Sequence, residues 1–146
     1  MGDCRHLDVF FGVPKHRAPS VVIESGLTED GWVTVNPRTL ETKFANVYAV
    51  GDNANTGTPK AGVFAEGAAK AVATTLIAKI RNLGQAVENS GSGTCDIEFG
   101  SGLVGKVEVD FFSGPNPIGN YYEPSAAIRA DKDHFSSSRR ARWFGM

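Results

Sequence analysis

Cysteine is scarce in this chain: there are two, Cys4 and Cys95, and neither stands in a CxxC pair. So few thiols exclude a disulfide framework, and without paired spacing a zinc site is not expected. An excess of one charge is missing too. Fifteen Lys and Arg face sixteen Asp and Glu, a net charge of −1, so no global field favours nucleic acid or an anionic membrane surface. The one basic cluster, Arg139, Arg140 and Arg142 beside Trp143 and Phe144, is too short to change that. Long apolar runs are also lacking. No stretch approaches the roughly 20 residues of a membrane span, and MGDCRHLDVFFGVP has neither the basic nor the long apolar region of a secretory signal. The expectation is a cytoplasmic or peripheral membrane location, with no signal peptide or transmembrane segment in the chain. At 146 residues and 41% hydrophobic content, it can bury one good core or complete parts of two.

What is present divides into three pieces, at 1–31, 32–89 and 90–146. In the first, LDVFFG at 7–12 is a β-type run ending at Gly12 and Pro14, and a short helix is expected from Pro19 to Ser25 with its stop at Gly26. In the second, strands are expected at Trp32 to Val35 and at Val47 to Val50, with a turn around Asn36 and Pro37 between them. A helix follows from Ala61 to Leu83. Val72, Leu76, Ile80 and Leu83 form its apolar stripe, Ala65, Ala68, Ala69 and Ala73 allow close packing on a sheet, and Gly84 is the expected stop. The third piece follows a linker, SGSG at 90–93. There CDIEF and KVEVDFF alternate around Gly100, Gly102 and Gly105, as a β-hairpin does. Beyond Phe112 the pattern weakens into SGPNPIG, a short helix near Ala126 to Phe135, and the tail RRARWFGM.

GSGLVG at 100–105 matches the GxGxxG dinucleotide fingerprint letter for letter. That fingerprint works only when a strand leads in and a helix leads out, so that phosphates meet the helix N-terminus. After Gly105 comes KVEVDFF, with period two rather than 3.6, so the glycines belong to a hairpin turn.

The stretch VYAVGDNANTGTPKAGVFAEGAAKAVA, at 47–73, carries the most chemistry. Gly51 lets the backbone approach a ligand closely, and Asp52 places a carboxylate at the edge where ligands of open α/β sheets bind. A carboxylate there accepts hydrogen bonds from a sugar-like hydroxyl. The next helix begins near Ala61, so its free N–H groups and dipole favour an electron-rich partner, with Lys60 adding positive charge at the same end. The N1 and O2 edge of a reduced flavin is such a partner. The same letters also suit a plain turn closed by Gly-Asp with a solvated Lys60, and spacing alone does not choose between the two.

The segments TVNPRTLETKFANVYAVGD and TPKAGVFAEGAAKAVA resemble the second FAD motif of two-dinucleotide-domain flavoproteins, the FAD-dependent pyridine nucleotide-disulfide oxidoreductases. Within them the chain is most similar to sulfide:quinone oxidoreductases and to the flavoprotein subunit of flavocytochrome c sulfide dehydrogenase. The resemblance implies that Asp52 falls on the position that binds the FAD ribityl chain, and that Lys60, Ala61 and Gly62 fall on positions approaching the isoalloxazine. It extends over nearly the whole chain. VFFGVPKHRAPSVVIESGL resembles the return from the second nucleotide-binding domain, and GTCDIEFGSG with RRARWFG resembles the C-terminal interface domain. The Gly-Asp motif is shared by many flavoproteins, type II NADH dehydrogenases included, and its combination with TPKAG and CDIEFG is more specific.

By this resemblance Cys95 falls on one of two redox cysteines beside the flavin, the other lying upstream of this segment. Its thiolate would carry sulfane sulfur or attack a disulfide, whereas most free cysteines in strands are small buried hydrophobes. His16, in PKHRAP, falls in a loop near the flavin domain junction, while Cys4, His6 and His134 match no motif. Tyr121, Tyr122, Phe111 and Phe112 suit either a quinone pocket or a core. The chain departs from the family in two ways. It contains no strand-GxGxxG-helix for the ADP half of FAD, and it ends at RWFGM without an amphipathic C-terminal segment.

The fold class implied is α/β: a partial Rossmann-like FAD-binding domain followed by a small α+β C-terminal domain, together the C-terminal part of a longer flavoprotein. The function implied is FAD-dependent oxidoreduction, electrons passing from a reduced sulfur donor to a quinone or cytochrome. Peripheral membrane contact and a homodimer both remain open. Two other readings stay beside it: NADH:quinone oxidoreduction with a structural Cys95, and a non-catalytic binding module.

Overall fold

The computed structural model describes residues 8–146 except Phe10. Cys4 and His6 therefore lie outside the described residues, as does part of the expected strand at 7–12. Of that strand Asp8, Val9, Phe11 and Gly12 are described, and none of them is in a strand.

The described residues form a mixed α/β fold of three helices and two three-stranded sheets. Chain order is α1 (Ser20–Glu24), β1 (Thr28–Glu29), β2 (Trp32–Thr34), β3 (Ala54–Asn55), α2 (Gly62–Arg81), β4 (Ser92–Gly100), β5 (Leu103–Asp110), β6 (Ile118–Ser125) and α3 (Ala126–Phe144). In the first sheet β2 is central, antiparallel to β1 and parallel to β3. The second is an antiparallel meander, β4-β5-β6.

The core of the first half joins Val33, Val35, Leu40 and Ala54 to Ala68 and Ala71 of α2. Burial of these apolar side chains is the main source of its stability. Helix α2 buries Phe64, Ala68, Ala71 and Thr75. That face is one residue round from the expected stripe: Val72 is half-buried, but Leu76, Ile80 and Leu83 are exposed. A sheet of three short strands is narrow, and the small alanines let the helix sit close over it, leaving the bulkier neighbouring stripe uncovered. The helix ends at Asn82, in the left-handed region at φ 52°, so Gly84 is not its stop. Asparagine tolerates that conformation well enough to close a helix.

The strand expected at 47–50 is not one. Tyr48 makes a single bridge to Glu41, and Ala49 N–H donates to the Leu40 carbonyl at 3.1 Å. Ala49 and Val50 still pack on the core, so the apolar signal was real while the sheet partner lies further on. The parallel pairing to β2 starts at Ala54, after the 51–54 turn closed by Ala54 N–H on the Gly51 carbonyl at 3.1 Å.

In the second half the hairpin forms as its letters predict. Ser101 and Gly102, both at positive φ (51° and 75°), make the two-residue turn between β4 and β5. Positive φ at both central positions matches the right-handed twist of the flanking strands. GSGLVG is thus a hairpin turn. Strand β6 was hidden by Gly119, Asn120 and Pro124, letters that read as turns, and Pro124 is accommodated where the β5-β6 register shifts between Val104 and Lys106. Helix α3 is capped by Ser125, whose Oγ accepts the Ile128 N–H at 3.2 Å, and continues past Phe135 through most of the expected tail to Phe144. Arg139 sustains that extension: its guanidinium lies 3.4 Å from the Phe135 ring centroid and donates to Glu66 of α2 at 2.7 and 3.0 Å.

SGSG, expected as a linker, runs into the second sheet: Ser92 and Gly93 open β4. Asn89 is buried, its backbone N–H donating to the Arg38 carbonyl at 2.8 Å and its side chain to the Pro37 carbonyl at 3.0 Å. Arg38 reaches the Phe112 carbonyl at 2.8 Å, and Phe64 of α2 meets Phe111 edge-on at 5.6 Å. The two sheets are therefore joined through this segment.

Just past β5 the loop is held by Asp110. Its carboxylate accepts the Ser113 hydroxyl at 2.7 Å and the N–H groups of Phe112 and Ser113 at 2.8 and 3.0 Å. The Ser113 hydroxyl, then the two amides, lower the Asp110 carboxyl from its ordinary 3.8 to about 2. A carboxyl depressed in the folded state contributes stability above its unfolded value and loses it as pH falls through the folded one. Stability is therefore expected to drop as pH falls from about 4 to about 2, and Asp110→Asn should flatten that part of the profile. Urea midpoints measured across this range in both proteins check it, and identical slopes would contradict it.

Candidate functional site

The residues singled out around Gly-Asp and Lys60 converge on the turn before β3 and the start of α2. Gly51 holds φ 79°, a conformation that costs a side chain strain even though a Cβ there would meet nothing closer than Ala65 at 3.9 Å. Asp52 is exposed in that turn, and its position precedes β3 instead of following a strand. Lys60 Nζ donates to the backbone carbonyls of Asp52 at 2.7 Å and Ala54 at 3.1 Å, and lies 3.8 Å from the centroid of the Trp32 ring. Lys60 is exposed, but its ammonium is engaged by these partners. It clasps the 52–54 turn to β2, and desolvation there lowers its pKa from the ordinary 10.5, with the Asp52 charge opposing the shift.

Ala61 caps α2 with extended backbone, no side chain caps the helix start, and no acidic residue lies in its first turn. Among the described residues the N–H groups of Gly62 and Val63 have no protein acceptor. A Cβ built at Gly62 would meet nothing within 4 Å, so the space before these donors is open. A helix of this length presents a partial positive charge at that end.

Two spaces adjoin this arrangement. A crevice of about 10 Å³ lies among Gly51, Asp52, Thr58, Lys60 and Ala61, with room for one water. A second cleft, of about 620 Å³, is also lined by Asp52 and Lys60 and takes in Trp32 and the loop at Lys15, His16 and Arg17. Only the second is large enough for a ring system; cofactor sites commonly span roughly 300 to 1,000 Å³. His16, expected near a domain junction, lines it. Lys15, Arg17 and Trp32 had no assigned role in the sequence. The basic letters of PKHRAP were a usable signal, but Trp32 read simply as a strand residue.

Cys95 stands apart from that cleft. It is exposed in β4, opposite Val107. A Cβ at Gly93 would lie 2.9 Å from the Phe64 ring and 3.1 Å from Val63, so that face of β4 meets the first turn of α2. Side chains alternate along a strand, so Cys95 shares this face about 7 Å further on. It is accessible, not a buried small hydrophobe.

The aromatics considered for a quinone pocket have separate roles. Phe111 packs on Phe64, Phe112 lies under Arg38 at 4.8 Å, and the Tyr122 hydroxyl donates to Glu108 at 2.9 Å. Tyr121 is exposed on the outer strand. Among the described residues no cluster of His, Cys, Asp and Glu suits a metal ion, and no helix is long and apolar enough to cross a membrane. No protein-family model matches the chain, and no curated protein matches it.

Proposed function

We propose that this chain forms the ribityl and ring side of an FAD site in an oxidoreductase of the sulfide:quinone type, with 32–89 belonging to a Rossmann-like FAD-binding domain and 90–146 to an interface domain. In this reading electrons pass from a reduced sulfur donor to a quinone or cytochrome. The observation that carries it is the Lys60 clasp: an ammonium anchored on the Asp52 and Ala54 carbonyls at the open, uncapped start of α2. The donor set suits a flavin. The Gly62 and Val63 N–H groups and Lys60 supply positive potential for an electron-rich edge, and the Asp52 carboxylate is an acceptor for a ribityl hydroxyl.

When bound, the flavin supplies the two-electron redox chemistry. The chain's own residues hold and orient it. Gly51 turns the backbone so that Asp52 faces outward, and Lys60 fixes the turn that carries Asp52. Cys95, exposed on the β4 face that meets the first turn of α2, provides a thiol whose thiolate is a sulfur nucleophile.

Removing the Asp52 carboxylate tests the reading. Asp52→Ala is expected to weaken flavin binding by roughly 1 to 3 kcal/mol, the cost of leaving a partly desolvated hydroxyl without its acceptor. Titration of flavin fluorescence against wild type and variant measures it. Unchanged affinity means that Gly-Asp is only a turn.

A further inference from the structure

The outer edge of the second sheet carries backbone groups that no neighbouring strand uses. Strand β6 pairs with β5 on one side only, and every residue from Ile118 to Glu123 is exposed. The phase of the ladder says which groups are free. Gly91 and Phe111 continue the β4-β5 register, and the Phe111 N–H donates to the Gly91 carbonyl at 3.1 Å, so they form a hydrogen-bonding pair. Bonding alternates from there, which turns Val107 and Val109 toward β4 and Lys106, Glu108 and Asp110 toward β6. The residues opposite these last three, Tyr122, Asn120 and Ile118, therefore spend their backbone groups on β5. The Tyr122 carbonyl lies on that side, 3.2 Å from where a Cβ at Gly105 would stand. The N–H and C=O groups of Gly119 and Tyr121 then point outward, and among the described residues none of them meets a protein partner. Edge strands are commonly protected by lysine, proline or charge. Here Glu123 and Pro124 guard one end only, and Ile118 to Tyr122 carries no charge.

We propose that β6 pairs antiparallel with β6 of a second copy of this chain, with Asn120 on the two-fold axis, so that two three-stranded sheets become one sheet of six. In that register Gly119 and Tyr121 of each copy exchange N–H and C=O bonds with Tyr121 and Gly119 of the other. The side chains fit the same register. Each Tyr121 ring covers the other copy's Gly119, each Tyr122 meets the other's Ile118 as an aromatic and β-branched pair, and Asn120 meets Asn120. Glu123, the one charge at this edge, falls opposite Pro117, so no like charges oppose each other. Sliding the copies by two residues either way sets Gly119 against Gly119 or against Glu123, and the glycine loses its tyrosine cover. Helix α3 leaves β6 at Ser125, at the end away from the axis, so the two copies of α3 stand at opposite ends of the junction. The inference rests on the second sheet alone and needs no flavin.

Sedimentation equilibrium of the full chain over a wide concentration range tests the association. The expected result is a monomer–dimer equilibrium that stops at the dimer, weakened at least about tenfold by Tyr121→Lys, which removes a cross-strand pair twice and places a lysine on the edge. A second measurement reads the register. With Cys4→Ser and Cys95→Ser as background, Asn120→Cys puts two thiols face to face in a non-hydrogen-bonded pair, where opposing Cα atoms lie about 4.5 Å apart, within reach of a disulfide. Glutathione disulfide is the oxidant: the two thiols form one disulfide, and it takes up their electrons and protons as two glutathione thiols. Tyr122→Cys in the same background faces Ile118, not its own copy, and should cross-link at least about tenfold more slowly. Asn120, Tyr121 and Tyr122 are all exposed, so the fold is expected to persist, and a circular dichroism melt checks this. Should Tyr121→Lys fail to fold, the comparison of Asn120→Cys with Tyr122→Cys decides. A chain that stays monomeric throughout overturns the inference. Association undiminished by Tyr121→Lys assigns the dimer to another surface and overturns it as well, as does equal cross-linking at positions 120 and 122.

Discussion

Replacing Gly91 with alanine is expected to destabilise the chain by about 3 kcal/mol or more, the largest stability effect of any single substitution considered. Two costs combine. The residue sits at φ 71°, in the left-handed region, and a Cβ there would lie 2.2 Å from Phe112 Cδ2 and 2.5 Å from Cγ. Such overlap forces either the ring or the backbone to move, and neither is free. Phe112 is held by its N–H on Asp110 at 2.8 Å, by its carbonyl on Arg38 at 2.8 Å, and by the Arg38 guanidinium over its ring. The backbone of Gly91 is held as well, its carbonyl accepting the Phe111 N–H at 3.1 Å. Because this knot joins the two sheets, the loss should appear in one cooperative transition. Urea unfolding of wild type and Gly91→Ala measures it. A difference below about 1 kcal/mol would mean that the ring yields easily and the junction is loose.

The largest functional effect is expected at Cys95. In the intact flavin-loaded enzyme, with the upstream redox cysteine present, Cys95→Ser should abolish reduction of the flavin by sulfide while leaving the flavin bound, because a serine hydroxyl keeps the size but cannot relay sulfur or form a disulfide. If instead the electrons arrive as hydride from a nicotinamide, the same substitution should cost little. Anaerobic bleaching of the flavin absorbance by sulfide and, separately, by NADH distinguishes these outcomes. Full bleaching of the variant by sulfide removes Cys95 from the mechanism. Rapid bleaching by NADH in both proteins favours the nicotinamide reading. Cys95 is exposed on the face of β4 that meets α2's first turn, so its thiol is accessible to such reagents.

The elements legible in the sequence are those whose signals are local. Helix α1 stops where Gly26 takes φ 74°, the Ser101-Gly102 hairpin needs only its own turn letters, and α2 follows from alanine-rich helical spacing. Elements that depend on distant partners were not legible. Val47 to Val50 has strand composition but finds one bridging partner, at Glu41, while the short Ala54–Asn55 is recruited by β2. The last nine residues of α3 gain from Arg139 reaching Glu66, a contact 73 positions away. The candidate site divides in the same manner. Gly51, Asp52, Lys60, Ala61 and Gly62 stand in one continuous stretch, so their nearness to one another at the turn and the start of α2 was legible from local letters, while their assignment to a flavin came from the family resemblance. That Lys60 would lie across Trp32, and that PKHRAP would face them, required the folding of β2 against β3.

The most direct test of the central claim is an amide chemical-shift titration of the isotopically labelled chain with flavin mononucleotide. The account predicts that the perturbed signals concentrate at Gly51, Asp52, Lys60, Ala61 and Gly62, with the Trp32 indole moving along with them. Saturating flavin that leaves this group unmoved, or that shifts only residues remote from the start of α2, would contradict it.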